Sequence, residues 1–454
     1  MNLNLVILAA GKGTRMRSKW PKVLQPLAAK PLLGHVLDRA SQLKPAKITL
    51  VVGHGSDQVK QVFNSPAIRW VEQTEQLGTG HAVQQALPCI DDEDRVLILY
   101  GDVPLTRPET LQDLLSQLDA KHPLALLTIN LEDPTGYGRI LRDKHHCVTA
   151  IVEQKDANTE QLKINEVNTG IMAVQGKQLQ AWLSRLQNNN AQGEYYLTDI
   201  IAMAVDDGFQ VRSASPADEM EVLGVNNKAQ LQDLERQLQR QQAQNLMEQG
   251  VTLLDANRLD IRGQIEVGMD VELDVGVIIE GRVKLADGVK VGAYCVLKDV
   301  DIAAGTIIKP FSHLDSAKLG ENCNIGPYAR IRPGTSLADK VNIGNFVELK
   351  NAQVGVGSKV NHLSYVGDTE MGSGVNIGAG TITCNYDGVN KYKTIIGNNV
   401  FVGSDSQLIA PVTIEDGATI GAGSTITKTA PAHELTLSRA KQLTLKGWQK
   451  PVKK

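Results

Sequence analysis

An aliphatic residue returns at every sixth position through the second part of this chain, and few backbones can use that period. Ile261, Val267, Leu273, Ile279, Leu285, Val291 and Leu297 keep step, and after a five-residue slip Ile302, Ile308 and Leu314 resume it. The series runs on through Ile325, Ile331, Leu337, Ile343 and Leu349, then Val354, Val360, Val366, Met371 and Ile377, and returns as Ile396, Val402, Leu408, Ile414, Ile420 and Ile426. A helix repeats at about 3.6 residues and a strand at about two, so a period of six describes a short flat strand and a corner, over and over. The scattered aliphatics of a β-sandwich would not hold one phase so long. The pattern predicts a parallel β-helix with three strands per coil and one core aliphatic per face.

At 454 residues the chain exceeds one compact core, and the repeat fills only its later part. Aromatic residues make up 4% of the chain, as expected of thin coils that admit little beyond Val, Ile, Leu and Ala. The net charge of -3 is dispersed, which argues against a nucleic-acid or membrane surface. Cys89, Cys147, Cys295, Cys323 and Cys384 are odd in number and form no C-x-x-C pair, so they read as reduced thiols of a cytoplasmic protein. Leu5 to Ala10 is too short for a signal peptide and lacks a basic leader, and no stretch approaches membrane-spanning length.

The first half alternates strand and helix signals. Leu3 to Ala10 reads as a buried strand, His35 to Leu43 as helical, and Ile48 to Val52 and Arg95 to Tyr100 as strands. Such alternation predicts a mainly parallel sheet with ligands beyond the carboxyl ends of its strands. Asn227 to Gly250 is proline-free, rich in Gln, Leu, Glu and Arg, and ends in glycine, which predicts a helix of about 35 Å. The expected division is 1–226, a linker helix 227–250, and 251–454.

Gly11-Lys12-Gly13-Thr14-Arg15-Met16 lacks the third glycine of a dinucleotide fingerprint and the Gly-Lys-Ser/Thr ending of a P-loop. It remains a loop of exposed backbone N–H groups at a strand end beside Lys12, Arg15, Lys19 and Lys22, which suits a polyphosphate. Leu8-Ala9-Ala10-Gly11-Lys12-Gly13-Thr14-Arg15-Met16 with Pro21-Lys22 resembles the signature of sugar-1-phosphate nucleotidyltransferases. Gln73, Gly78-Thr79-Gly80-His81, Tyr100-Gly101-Asp102, Gly136-Tyr137-Gly138, Glu153, Asn168 and Asn226-Asn227 follow in that family's order. Together with the hexapeptide body, nearly the whole chain resembles the bifunctional enzymes that acetylate glucosamine 1-phosphate and then transfer a uridylyl group to the product. The resemblance implies a Rossmann-like α/β nucleotidyltransferase domain joined by a long helix to a left-handed parallel β-helix.

In such a transfer a sugar phosphate oxygen attacks the α-phosphorus of a nucleoside triphosphate and pyrophosphate leaves, so the protein must place groups and neutralise charge. Arg15 and Lys22 supply fixed positive charge, and Asp102 after an apolar strand is an expected oxygen ligand for Mg²⁺. The resemblance implies that Asn226 completes the metal site, with Asn227 an open alternative. It gives Gln73 and Thr79 to the pyrimidine and Glu153, Asn168, Gly138 and Tyr100 to the sugar, while Leu8, Ala9, Ala10, Gly11, Gly78 and Gly101 complete the UTP pocket. Residue types alone leave glucose or mannose phosphate open.

In the repeat, each hexad start faces inward and its neighbours outward. Arg332 and Lys350 are eighteen residues apart with no slip between them, so they stack outward on adjacent coils about 4.8 Å apart. Two stacked cations repel unless an anion bridges them, which predicts a phosphate-binding pair. Glu348 and Tyr365 stack likewise, and His362 near a corner is a candidate base for a sugar amine attacking a thioester. Resemblance to hexapeptide acyltransferases gives His362 that role and sets Arg332, Lys350, Tyr365 and Asn376 around glucosamine 1-phosphate.

The longest break in the period follows Thr383, where Cys384-Asn385-Tyr386-Asp387-Gly388 begins an excursion. The family match assigns Asn385 and Tyr386 to acetyl-coenzyme A, with Ala379, Ser404, Ala422 and Arg439. Ser404 is also a candidate donor to the developing oxyanion. Outward groups on a narrow prism make no pocket alone, so the expected assembly is a homotrimer with acetyl-transfer sites between subunits. The basic tail from Leu445 either folds over a neighbour or stays disordered. Two other readings are a β-helix that serves only assembly and regulation, and a nucleotide-binding scaffold without catalysis.

Overall fold

Seven consecutive buried residues, Leu3–Ala9, form a strand in the middle of the sheet of the first unit. Its neighbours Lys47–Val52 and Arg95–Tyr100 both run parallel to it, so both faces must be covered and the strand reads as one apolar run. Helices Leu32–Ser41 and Pro108–Ser116 lend Leu33, Val36, Leu111 and Leu114 to the core on one face. Thr79–Gln85, Gly176–Leu183 and Asp199–Asp206 cover the other with Val83, Leu179, Trp182 and Ile200. The nine-stranded sheet is mainly parallel along its main path, as expected, with antiparallel pairing at Glu166–Gln175 and in the hairpin of Arg139–Arg142 with Val148–Val152. Glu166–Gln175 runs antiparallel to both of its principal neighbours, Arg95–Tyr100 and Leu124–Asn130.

The structure, a computed structural model, describes residues 2–453, and its contacts separate two units, Met1–Gln237 and Leu238–Lys454. The helix expected at 227–250 is observed as Lys228–Glu248, so it begins in the first unit and ends in the second.

The second unit is a left-handed parallel β-helix. Its strands are mostly two or three residues long and alternate an exposed or half-buried residue with a buried one, as in Lys318–Leu319 and Arg330–Ile331. Every residue of the six-residue series from Leu273 to Ile426 lies in one continuous core, and Leu319 fills the second slip. Ala243 and Leu246 of the helix join that core, and the buried amide of Gln239 pairs with both the N–H and the carbonyl of Ile261 at 2.7 and 2.9 Å. The first coil thus has its open polar edge met by a side chain, where an unpaired buried group would cost about 1–3 kcal/mol.

One corner of the prism carries Tyr294, Phe311, Tyr328 and Phe346 with φ between 55° and 61°. The left-handed conformation costs about 1–2 kcal/mol per residue outside glycine. Here the four rings stack with centroids 5.4, 5.0 and 5.3 Å apart, which returns about 0.5–1.5 kcal/mol per pair.

Two candidate active sites

The strand Leu3–Ala9 ends in the glycine loop, and Lys22 begins a short 3-10 turn that returns beneath it. Gly13 has φ 59°, and a β-carbon there would lie 2.8 Å from that of Lys22, so the loop folds this tightly only with glycine. Lys22 Nζ makes an ion pair with Asp102 and stands 3.1 Å from Asn226 Oδ1. Arg15 Nη2 donates to the same Asn226 oxygen at 3.0 Å. Asp102 and Asn226, far apart in sequence, therefore turn oxygens toward the Lys22 ammonium, and Arg15 joins them through the Asn226 amide oxygen.

A pocket of about 250 Å³ opens from there, lined by Leu8, Ala9, Ala10, Gly11, Lys22, Asp102 and Tyr100 on one side and Gln73, Gly78 and Thr79 on the other. Gly101 lies between two of these residues, its N–H bound to Leu8 O at 2.9 Å. Val23, Gln76, Ala82 and Glu194 also line the pocket, and the motif gave no reason to expect them. Gln73 is buried, and its amide nitrogen donates to Gly78 O at 3.0 Å.

The expected sugar-binding residues cluster beside Tyr100. Asn168 N–H donates to Gly138 O at 2.9 Å, and a β-carbon on Gly138 would stand 3.3 Å from a Glu153 oxygen. Burial pushes the Glu153 carboxyl above its ordinary range, against a hydrogen bond from Thr198 that pulls it down. Burial likewise raises the Tyr100 phenol, with the charges of Glu153 and Asp102 acting in the same direction. Gly170, at φ 87°, lets the Tyr100 ring come close, since a β-carbon would meet it at 2.6 Å.

On the β-helix, Arg330–Ile331 pairs in register with Glu348–Lys350, and Arg332 N–H donates to Leu349 O at 2.8 Å. Arg332 and Lys350 are thus neighbours on adjacent coils, as the period requires, and Glu348 and Tyr365 pair directly. One feature differs from a bare pair of cations. Glu348 reaches across to Arg332 at 2.7 Å and lies 3.6 Å from Arg330.

Lys350 faces a third cation. The neighbouring Lys391 ammonium, more than burial or Arg332, pulls the Lys350 pKa below the usual lysine range. Lys391 sits in the excursion, bridged to Tyr386. It escaped the sequence reading because the excursion has no period to say where its side chains point. Tyr365 folds its phenol over Gly367, the register partner of Lys350, and any side chain at 367 would strike that ring.

Asn345 pairs in register with His362, and its Oδ1 lies 2.8 Å from His362 Nδ1. An amide oxygen only accepts, so Nδ1 carries the hydrogen and Nε2 holds the lone pair. Asn345 was not anticipated either, though it lies seventeen residues before His362, one shortened coil away.

His362, Ala379, Ser404 and Ala422 occupy one corner column, linked where Gly380, Asp405 and Gly423 donate to His362 O, Ala379 O and Ser404 O. Three of these four are small, so the column beside His362 carries no bulky side chain. Arg439 lies next to it, 3.6 Å from where a Gly423 β-carbon would be. Asn385 is buried and bonded to Asp368, whereas Tyr386 is exposed. Asn376 lies on a different face, paired with Lys359 and Phe401, so one chain does not bring it beside Arg332.

Residues 5–252 match the family of MobA-like NTP transferase domains, and residues 316–351 and 393–428 match the bacterial transferase hexapeptide repeat. The class is therefore a transferase with a nucleotidyl-transferring first part and a hexapeptide-repeat second part. A bifunctional protein GlmU from Nitrosospira multiformis is 60% identical over 100% of this chain and 98% of its own length. Those of Ralstonia nicotianae and Acinetobacter baylyi are 57% and 56% identical, over 99% and 100% of this chain and 99% of each relative. The chain belongs to the family of bifunctional GlmU proteins. Its two activities are uridylyl transfer to N-acetylglucosamine 1-phosphate and acetyl transfer to glucosamine 1-phosphate.

Proposed function

We propose that residues 1–226 transfer the uridylyl group, with Mg²⁺ held by Asp102 and Asn226, and that residues 251–454 transfer the acetyl group with His362 as base. The observation that carries the first assignment is the convergence of the two oxygens on the Lys22 ammonium, a cation already seated between them. One carboxylate and one amide suit Mg²⁺, which keeps most of its shell for phosphates and water. Bound there, the ion supplies charge stabilisation to the phosphates during displacement.

Lys22 and Arg15 then stand against the phosphates of UTP, and the loop N–H groups cradle them. The oxygen of N-acetylglucosamine 1-phosphate attacks the α-phosphorus and pyrophosphate departs. Gly138, Glu153, Asn168 and Tyr100 hold the sugar, and Gln73 with Thr79 the uracil. Asp102→Asn should abolish Mg²⁺-dependent pyrophosphate release from UTP and leave acetyl transfer intact. Full uridylyl transfer by that variant refutes the metal assignment.

Arg332, Lys350 and Lys391 bind the phosphate of glucosamine 1-phosphate, with Tyr365 beside them, and Asn376 of a neighbouring copy completes the site. His362 Nε2 takes the proton of the amine as its nitrogen attacks the thioester carbonyl of acetyl-CoA, and the CoA thiolate leaves. Ser404 donates to the oxyanion, while Ala379, Asn385, Tyr386, Ala422 and Arg439 hold acetyl-CoA. His362 and Tyr386 stand exposed on the outside of the prism, where a neighbouring copy would supply the other wall, and this supports a homotrimer with sites between subunits. His362→Ala that assembles and still acetylates at the wild-type rate refutes this reading and restores a purely assembling β-helix. All five cysteines are free thiols, and among the described residues no helix is long and apolar enough to cross a membrane. A cytoplasmic location fits both.

A further inference from the structure

We infer that His81 is a positioning residue that makes Gln73 present only a hydrogen-bond acceptor to the base, and so selects a nucleotide whose ring nitrogen carries a hydrogen. The inference rests on the uridylyl-transfer reading of this pocket. Gln73 Nε2 lies 3.0 Å from Gly78 O and 3.1 Å from His81 Nδ1. A backbone carbonyl only accepts, so the end of the amide facing Gly78 must be its NH₂ group.

That group has two hydrogens, and two acceptors wait for them. One hydrogen goes to Gly78 O, and the other goes to Nδ1, which must hold its lone pair. The neutral ring then carries its hydrogen on Nε2. Gln85 Nε2 stands 2.9 Å from that ring nitrogen and 3.4 Å from His81 O, and because a neutral ring cannot accept at both nitrogens, the arrangement requires the Gln85 amide to turn its oxygen toward Nε2–H.

Both hydrogens of Gln73 are thereby spent within the protein. Its Oε1 makes no hydrogen bond among the described residues, and Gln73 lines the pocket. Uracil offers N3–H to that oxygen, whereas cytosine would set a bare N3 against it. The arrangement is held on every side. Gln73 N–H donates to Val52 O at 2.8 Å. Gly78, at φ 108°, aims its carbonyl from a turn where a β-carbon would meet Tyr195 O at 2.6 Å. A glutamine free to rotate would accept either base, since turning its amide exchanges donor for acceptor. His81 removes that freedom from the helix Thr79–Gln85 without touching the base.

The test is the ratio of kcat/KM for UTP over CTP in the full-length enzyme. His81→Phe keeps a ring but offers no acceptor, so the ratio should fall at least about tenfold, equivalent to one lost hydrogen bond of ~1.4 kcal/mol. His81→Asn places an oxygen near the position of Nδ1 and should restore most of it. An active His81→Phe with the wild-type ratio overturns the inference, and so does equal relaxation in both variants. If His81→Phe does not fold, nitrogen-15 NMR of the wild type decides: Nε2–H is expected at His81, and an Nδ1–H tautomer overturns the proposal. A wild type without preference for UTP would instead refute the underlying uridylyl assignment.

Discussion

Removing Lys391 should weaken glucosamine 1-phosphate binding and at the same time change its pH dependence. Lys391 is the largest cause of the depressed Lys350 pKa, ahead of burial and of Arg332, with Asp368 acting the other way. In Lys391→Met the substrate phosphate loses one charge-assisted partner, a loss of ~1.5–3 kcal/mol or about 10- to 150-fold in KM. The alkaline limb of acetyl transfer reports the charge on Lys350. Its ammonium is lost below the ordinary lysine range in the wild type, so phosphate affinity falls early as pH rises. Without Lys391 the Lys350 pKa moves up, and the limb should move to higher pH although overall affinity is lower. Opposite signs in one variant are hard to obtain from general damage. Uridylyl transfer serves as an internal control and should not change. The assay is acetyl-CoA-dependent formation of free CoA across about pH 7 to 10, the approach to the ordinary lysine titration. An unchanged KM, or a limb that stays in place, refutes the three-cation phosphate site.

Gly170→Ala should reduce uridylyl transfer selectively, because the new methyl would lie 2.6 Å from the Tyr100 ring at φ 87°; overpacking of this kind costs about 1–3 kcal/mol and should show as a lower melting temperature of the first unit. Glu153→Gln should weaken sugar binding yet not destabilise the fold at neutral pH. The native carboxyl has a raised pKa, so its contribution is favourable while protonated and is lost as pH rises from the unfolded value through the folded one, and stability curves of both proteins at pH 4 to 8 check this. Leu246→Ala should cost about 2–5 kcal/mol in the second unit, read by denaturant melts, since Leu246 is buried in the β-helix core.

The six-residue series determined the β-helix without any help from the rest of the molecule, because a coil three strands around leaves only one inward place per face. That same constraint brought Arg332 beside Lys350 and Glu348 beside Tyr365, since register on a solenoid is arithmetic along the chain. The apolar strands and glycine loop likewise announced a mainly parallel sheet with phosphate chemistry at its edge. What sequence spacing could not carry was the meeting of residues with no shared period. Asn226 reaches Lys22 across more than two hundred positions, and Lys391 reaches Lys350 from a segment outside the repeat. Glu348 turning toward Arg332 depended on side-chain torsions, as did the two hydrogens of Gln73 being claimed by Gly78 and His81. Periodicity states which way a side chain points from the backbone, whereas hydrogen bonds and ion pairs are decided by what packing leaves within about 3 Å of it.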